Sequence, residues 1–151
     1  MIESRGHQIR WFSTRVRQLP SSRLLLLGKT FLLLLSARIA LAVLPIRYIF
    51  DWKSRPVVPA TNYSSAQLRT TVELVAWSVE CIANRSPFKF VCFPQCLAAV
   101  ALLRSVGVES RLHYGVARVE NRLVTHTWLE AGGEVLVGRV AADGFSTLKV
   151  Y

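Results

Sequence analysis

Two cysteines and one histidine carry the chemistry that this sequence suggests. Cys92 and Cys96 lie in the run VCFPQCLAAVALLRSVG, and His126 follows Cys92 by 34 residues in LVTHTWLEA. A thiol beside an imidazole can accept an acyl group, because the imidazole takes the thiol proton and later protonates the leaving amine. The residue types therefore indicate acyl transfer through cysteine.

Cys92 is expected at the amino terminus of a helix. Pro94 suits the first turn of that helix, Leu97 to Leu103 supply its apolar body, and Gly107 follows its end. The unpaired N–H groups and the positive dipole end of a helix stabilise a thiolate at this position. Placement alone leaves Cys92 equally compatible with a reactive nucleophile and with a buried structural thiol.

Cys96 lies one turn deeper, where its neighbours along the helix are leucine and valine. A cysteine in such surroundings usually serves as a small apolar filler. Cys92, Cys96 and His126 could also supply three metal ligands, but one Cys-x-x-x-Cys pair and a distant histidine lack the second ligand pair of a zinc site. We expect neither a metal nor a cofactor.

His126 is expected on a strand. The apolar period changes after Gly107, so that Arg111–Val119 and then Leu123–Ala131 read as strands, and Gly132-Gly133 forms a tight turn into GEVLVGRV. A lone histidine on a strand is more often structural than catalytic. His126 differs from His113 and His7, which we expect to be structural and solvated, because Trp128 on its own face could cover the imidazole.

The chain resembles the lasso-peptide biosynthesis B2 proteins, which are transglutaminase-like cysteine peptidases with a Cys, His, Asp triad. The resemblance rests on these segments: the Leu-rich stretch closing in LPIRYIF, Pro87 ahead of Cys92, CFPQCLAAVALLRSVGVESRLHYGV, HTWLE and GFSTL. In that family a cysteine is followed by a glycine fifteen residues on and by another eight beyond it. Cys92, Gly107 and Gly115 have this spacing, whereas Cys96 lies only eleven residues before Gly107. The resemblance thus implies Cys92 as the nucleophile and His126 as its base.

Three positions depart from the family pattern. Gln95 stands where an arginine is common, Cys96 occupies a position that is usually small, and the position of the triad carboxylate, twelve residues after His126, is Gly138.

The third catalytic residue is therefore open. A two-residue turn would pair His126 with Arg139, and Glu130, on the same strand face, is ~13 Å away. Asp143 could return from a bend over residues 141–144, and we favour it as the group that orients His126. Glu130, Asn121 or a backbone carbonyl are the alternatives.

Composition limits the molecule to one small domain. The chain has 151 residues with 52% apolar content, and three cysteines are too few for a disulfide framework, so a reducing cytoplasm is favoured. Of the formal charge of +10, most falls in residues 1–56, which hold ten Lys/Arg against Glu3 and Asp51. No nucleic-acid-binding signature accompanies this charge, and we expect no nucleic-acid partner.

The segment from Arg23 to Phe50 is strongly apolar but is interrupted by Lys29, Arg38 and Arg47. A bilayer span needs ~20 consecutive apolar residues, so a helix packed on the domain or on a partner is favoured over membrane-surface attachment and over a span. We expect this helix to break near Gly28 and Pro45. Residues 54–64 read as a linker, after which Ser65–Ala83 has helical periodicity.

Together these features predict an α+β protein with a transglutaminase-like or papain-like core. Residues 1–56 would be a helical partner-docking region, and residues 57–151 the peptidase core with a helix carrying Cys92 and a small antiparallel sheet carrying His126. The resemblance implies removal of the leader peptide from a ribosomally made lasso precursor. It also implies a separate leader-binding protein and an ATP-dependent cyclase as partners. A non-catalytic binding module of the same fold and a small membrane-attached protein are the alternative functions.

Overall fold

A computed structural model describes residues 20–59, 63–88, 90–119, 122–138 and 146–151. Among them, four helices precede a four-stranded antiparallel sheet. The helices are α1 (Ser21–Val43), α2 (Ile46–Ser54), α3 (Ser65–Arg85) and α4 (Cys92–Ser105). The strands are β1 (Arg111–Val119), β2 (Arg122–Ala131), β3 (Glu134–Val137) and β4 (Ser146–Val150), in the order β3-β2-β1-β4. This architecture confirms the predicted α+β class.

Helix α1 packs on α3 and α4 through one side only. Leu27, Thr30 and Leu34 are buried there, while the opposite side leaves large apolar residues in contact with solvent. The predicted break near Gly28 is wrong, because α1 continues through that glycine. A side chain at this position would meet open space. The break near Pro45 is confirmed, since α1 ends at Val43 and α2 begins after the proline.

The ends of helices α3 and α4 coincide with residues that favour the start or the end of a helix. Ser64 and Gln67 form a reciprocal capping box at the start of α3, and the helix ends two residues before Pro87. Helix α4 begins at Cys92 and ends before Gly107, whose φ of 71° is the left-handed conformation that suits a glycine after a helix. The predicted position of Cys92 is thus confirmed at the first residue of α4.

The sheet contains the predicted strands, the predicted hairpin at Gly132-Gly133 and one strand that was not predicted. Strand β1 pairs with β2 such that Gly115 lies opposite His126, and β1 pairs on its other side with β4, which the sequence pattern did not reveal. Gly132 and Gly133 form the second turn with φ of 62° and 82°.

The predicted register of the second hairpin is wrong. Ala131 pairs with Glu134, but the register shifts between Leu129 and Glu130, so that Leu129 pairs with Val137. Strand β3 ends there, and Arg139, the predicted partner of His126, lies outside the described residues. Gly138, which follows β3, lies beside His126.

The core lies between the helices and one face of the sheet. Its members include Val79 of α3, Val100 and Leu103 of α4, Leu112 of β1 and Leu129 of β2, all of which are almost fully buried. The buried face of α4 is thereby fixed against β2. The proposed boundary at residue 56 stays a prediction.

Candidate active site

Cys92 and Cys96 lie on the same side of α4 but differ in burial. Cys92 is half-buried at the helix start, whereas Cys96 is fully buried. Burial raises the pKa of the Cys96 thiol well above its ordinary value, and the nearby Cys92 raises it further. Cys96 is therefore held as a neutral thiol, and the apolar-filler interpretation of this residue agrees with its surroundings.

Cys96 also joins α4 to the strand that carries His126. Its sulfur lies 3.6 Å from the backbone carbonyl oxygen of Thr127, to which it donates a hydrogen bond. Cys92 is one helical turn from Cys96, and His126 immediately precedes Thr127. The contact brings the first turn of α4 and the middle of β2 to the same end of the molecule.

The imidazole of His126 lies against Gly138, beyond the end of β3. A Cβ atom built on Gly138 would stand 3.0 Å from Nε2 of His126 and 2.9 Å from the carbonyl oxygen of Thr127, so only a glycine fits this close approach. Burial lowers the pKa of His126, while a hydrogen bond with the Gly138 backbone raises it and offsets part of that effect. His126 is thus held mostly in its neutral form at neutral pH.

Glu130, the same-face alternative for orienting His126, is engaged elsewhere. Its carboxylate lies 3.1 Å from Nε2 of His113. Trp128 stacks on the same His113 ring, with centroids 5.2 Å apart and planes 7° from parallel. The expectation that Trp128 covers His126 is therefore wrong: its indole ring packs on the histidine across the strand pair, where His113 is part of a structural cluster.

Gln95 and His126 line one cleft of about 520 Å³ between α3, α4 and the end of β3. Gly138 also lines it. Gln95 is a residue of the first turn of α4, and its side-chain amide donates a hydrogen bond of 2.6 Å to the carbonyl oxygen of Phe90 just before that helix. This bond ties the segment leading to Cys92 to the helix and so fixes how the nucleophile candidate is presented.

The cleft is acidic in an otherwise basic protein. Glu73 and Glu80 of α3 and Glu134 of β3 lie on its walls. Arg69 forms exposed ion pairs with Glu73 and Glu134 at 3.2 and 3.8 Å. A cationic group that entered the cleft would meet a favourable potential, most strongly near Glu80.

The remaining candidates are not described. Asp143, Asn121 and His7 lie outside the described residues, so their expected roles stay predictions. Sequence reasoning missed the position of Gly138 against the histidine; the signal was its place twelve residues after His126, where the family pattern has a carboxylate. The described residues contain no group of three or more His, Cys, Asp or Glu side chains that could bind a metal ion, and this includes the set Cys92, Cys96 and His126.

The protein is of the α+β class. A helix begins at Cys92, and the antiparallel sheet that follows it carries His126. The chain belongs to the transglutaminase-like superfamily, whose family model matches residues 31–150. Proteins of this superfamily are commonly cysteine-type enzymes. Comparison with curated proteins and with solved structures finds no significant match.

Proposed function

We propose that this protein is a cysteine peptidase that uses Cys92 as nucleophile and His126 as general base. The observation that best supports this proposal is that His126 and Gln95 line the same cleft. Gln95 lies one helical turn after the half-buried Cys92, at the start of α4. Cys92 is the first residue of α4, and the neutral imidazole of His126 suits proton abstraction from its thiol.

The reaction proceeds in two steps. His126 takes the Cys92 proton, the sulfur attacks the carbonyl carbon of the scissile peptide bond, and His126 returns the proton to the departing amine. The product on the enzyme is a thioester. His126 then takes a proton from water, the resulting hydroxide attacks the thioester carbonyl, and the released sulfur regains a proton, leaving a free carboxylic acid and the Cys92 thiol.

The substrate that we propose is the leader-core junction of a ribosomally made lasso precursor, cleaved in the cytoplasm. The spacing of Cys92, Gly107 and Gly115 and the stretch HTWLE support this choice, since they match the pattern of the leader-removing proteins. An ATP-dependent cyclase would then use the amine exposed on the core peptide.

A separate leader-binding protein is the proposed partner of α1. Four residues spaced along one side of α1, which we name the apolar stripe, are largely exposed: Leu25, Leu32, Ile39 and Val43. Exposed apolar surface of this extent marks interaction sites on soluble proteins. The net positive charge of residues 1–56 complements a partner with acidic groups around an apolar patch. Helix α1 is also long and apolar enough to cross a membrane by length and composition alone.

Cleavage of the precursor tests the peptidase assignment. A lasso precursor peptide and a leader-binding protein are incubated with wild-type protein or with Cys92→Ala, and the products are identified by mass spectrometry. The expected result is a free leader and core with the wild type and intact precursor with Cys92→Ala. Intact precursor in both reactions would leave the chain as a non-catalytic module of the same fold, and cleavage by both would refute Cys92 as nucleophile.

Substitutions in the apolar stripe test the partner proposal. Leu32→Asp with Ile39→Asp is expected to abolish pull-down of the leader-binding protein. Leu123→Asp is the matched control, because Leu123 is 75% exposed on β2, outside the stripe, and should leave binding intact. Equal binding by all three proteins, or uptake of the wild type by anionic phospholipid vesicles without partner binding, would contradict the proposal.

A further inference from the structure

We propose that an apolar groove between α1, α2 and α4 binds an acidic amphipathic helix of a polypeptide partner. The groove has a volume of about 360 Å³, and nearly all of its lining residues are apolar. Pockets that hold a bound group commonly have volumes of roughly 300–1,000 Å³. The inference rests on the proposed docking of a partner at α1, which is part of the proposed function, and it does not depend on the peptidase assignment.

The shape of the groove fits a helix. Leu33, Ala37 and Ala40 line it from one side of α1, and Leu44 continues this side just past the helix end. These positions extend over about 16 Å, which corresponds to about three turns of a partner helix. Ala101 of α4 lines another wall. The short alanine side chains leave the space between the walls, and an apolar helix face with anchors three and four residues apart can fill it.

The groove adjoins the apolar stripe of α1. Ser36 lines the groove and lies four residues after Leu32 of the stripe, on the same side of the helix. The Ser36 hydroxyl donates a hydrogen bond of 2.7 Å to the Leu32 carbonyl oxygen, so it needs no partner from a ligand. Leu44 and Tyr48 in the lining are 48% and 50% exposed. One partner surface can therefore cover the stripe and place apolar side chains in the groove.

Two arginine side chains lie at the aromatic edge of the groove, which Tyr48 and Trp52 form. The guanidinium carbon of Arg47 lies 4.8 Å from the centroid of the Tyr48 ring. That of Arg104 lies 5.3 Å from the centroid of the Trp52 ring. Hydrogen bonds of 3.2 and 2.8 Å to two carbonyl oxygens at the end of α2 hold Arg104 in place. Carboxylates on the flanks of a partner helix would meet both guanidinium groups at this edge.

The charge of the chain argues against occupants that come from the protein itself. Residues 20–59 carry six Lys/Arg against Asp51, and residues 1–19 carry four arginines against Glu3. The formal net charge of +10 likewise disfavours a second copy of the chain in the groove. An acidic segment from another polypeptide is the occupant that complements this surface.

The groove and the cleft of His126 lie on different sides of α4. Leu97 lines the groove, whereas Gln95 lines the cleft. Two residues along an α-helix are rotated by about 200° from one another. A partner in the groove therefore leaves the cleft open to a substrate.

Binding of synthetic peptides tests the inference. The probe is a fluorescein-labelled helical peptide of glutamate and alanine with leucines at three- and four-residue steps. One control peptide has alanine in place of each leucine, and another has lysine in place of each glutamate. Fluorescence anisotropy with the full-length Cys92→Ala protein measures binding without cleavage. We expect the acidic leucine peptide to bind and both control peptides to bind about tenfold more weakly, and equal binding of the three would overturn the proposal.

Two pairs of variants locate the bound peptide. Ala40→Trp fills the groove and is expected to weaken binding about tenfold, whereas Ala42→Trp, at an exposed position of the same helix, should not. Arg47→Glu is expected to weaken binding severalfold, whereas Arg122→Glu makes the same charge change on β2 and should not. Circular dichroism checks that each variant is folded. Unchanged binding by folded Ala40→Trp would place the peptide elsewhere and overturn the proposal.

Other occupants of the groove would give distinct results. Uptake of the wild type by phosphatidylglycerol vesicles, lost in Ala40→Trp and without peptide binding, would assign the groove to lipid. Dimerisation of the wild type that Ala40→Trp abolishes would assign it to a second copy of the chain, and either result would overturn the inference. A leader-binding protein that fails to bind, while the acidic peptide binds in the groove, would refute the partner assignment and support the groove as a docking site.

Discussion

The two thiols at the start of α4 are four residues apart but have opposite surroundings. Cys96 is fully buried in the core, and its sulfur donates a hydrogen bond to the Thr127 carbonyl. Cys92 is half-exposed at the first residue of the helix. A reactive thiolate needs access and a stabilising field, and Cys96 has neither. The division of roles between the two cysteines thus follows from one turn of helix.

Replacing each cysteine is expected to have opposite effects. Cys96→Ala should lower the free energy of unfolding by about 1 kcal/mol, since it removes a buried sulfur, and should retain precursor cleavage. Cys92→Ala should abolish cleavage and change stability little. Urea unfolding followed by circular dichroism, together with the cleavage assay, measures both. Loss of cleavage in a folded Cys96→Ala protein would contradict the assignment.

The rate of cleavage should fall in acid because His126 must be neutral to accept the thiol proton. Burial lowers its pKa, so protonation sets in only as the pH falls below the ordinary value of 6.5. The acidic limb of the kcat/KM profile is therefore expected below pH 6.5. A limb above that value would contradict the lowered pKa of His126.

Among single residues, the position of Cys92 on its helix was easier to predict from the sequence than the contacts made by Trp128 and Gly138. Pro94 and Gly107 bracket α4, so Cys92 could be placed at the helix start from local chemistry. The stacking of Trp128 on His113 depends on which residues face each other across two strands, and Gly138 follows β3, whose pairing with β2 contains a register shift. Neither contact follows from period-two alternation, which assumes an undistorted ladder.

At the scale of elements, a buried pair of hydroxyls joins α1 to α3. Thr30 and Ser78 are fully buried, and their oxygen atoms lie 3.0 Å apart. Each hydroxyl also bonds to a carbonyl oxygen of its own helix, that of Leu26 for Thr30 and that of Val75 for Ser78, so removing one partner removes the bond between the two helices. This contact makes α1 part of the folded unit although most of its surface is exposed.

Thr30→Val is accordingly expected to lower the free energy of unfolding by about 1 kcal/mol, the usual effect of losing a buried hydrogen bond. Thr70→Val is the control, because the exposed Thr70 hydroxyl bonds only to Ala66 in its own helix. Denaturant melts of both variants provide the comparison. Equal losses would show that the bond each threonine makes to a carbonyl of its own helix, rather than the buried pair, determines the effect.

The helices were predictable and one strand was not. The Ser64–Gln67 capping box indicates where α3 begins. Pro45 indicates the boundary between α1 and α2. The predicted break at Gly28 was wrong because a single glycine weakens a helix by only about 1 kcal/mol. The packing of α1 on two helices offsets this cost. Strand β4 is short, and its residues pair with residues of β1 that lie far away in the sequence, such as Val150 with His113. Local patterns carry no signal for such pairing.

On the scale of the whole molecule, Lys53 ties the amino-terminal helices to the sheet. Its buried ammonium donates hydrogen bonds to the carbonyl oxygens of Ser110 and Tyr151, at 2.9 and 3.2 Å. Burial, followed by the charge of Arg104, lowers the pKa of Lys53, while Glu109 raises it. Phe50 stacks on Tyr151 with centroids 3.9 Å apart beside this junction.

Lys53→Met is expected to lower the free energy of unfolding by about 2 kcal/mol, because two carbonyls lose a charged donor. Arg69→Met removes two exposed ion pairs on the rim of the cleft and should change stability by less than about 1 kcal/mol. Thermal melts at fixed pH compare the two. A larger effect of Arg69→Met would contradict the role of Lys53 as the junction between layers.

The central claim is that Cys92 and His126 act as one unit, and the rate of thiol alkylation measures that coupling directly. Native wild-type, His126→Gln and His113→Gln proteins are treated with iodoacetamide at pH 7, and modification of each cysteine is followed by peptide mass spectrometry. We expect Cys92 to react first, about tenfold more slowly in His126→Gln and at an unchanged rate in His113→Gln, with Cys96 protected throughout. Equal rates at Cys92 in all three proteins would contradict the account.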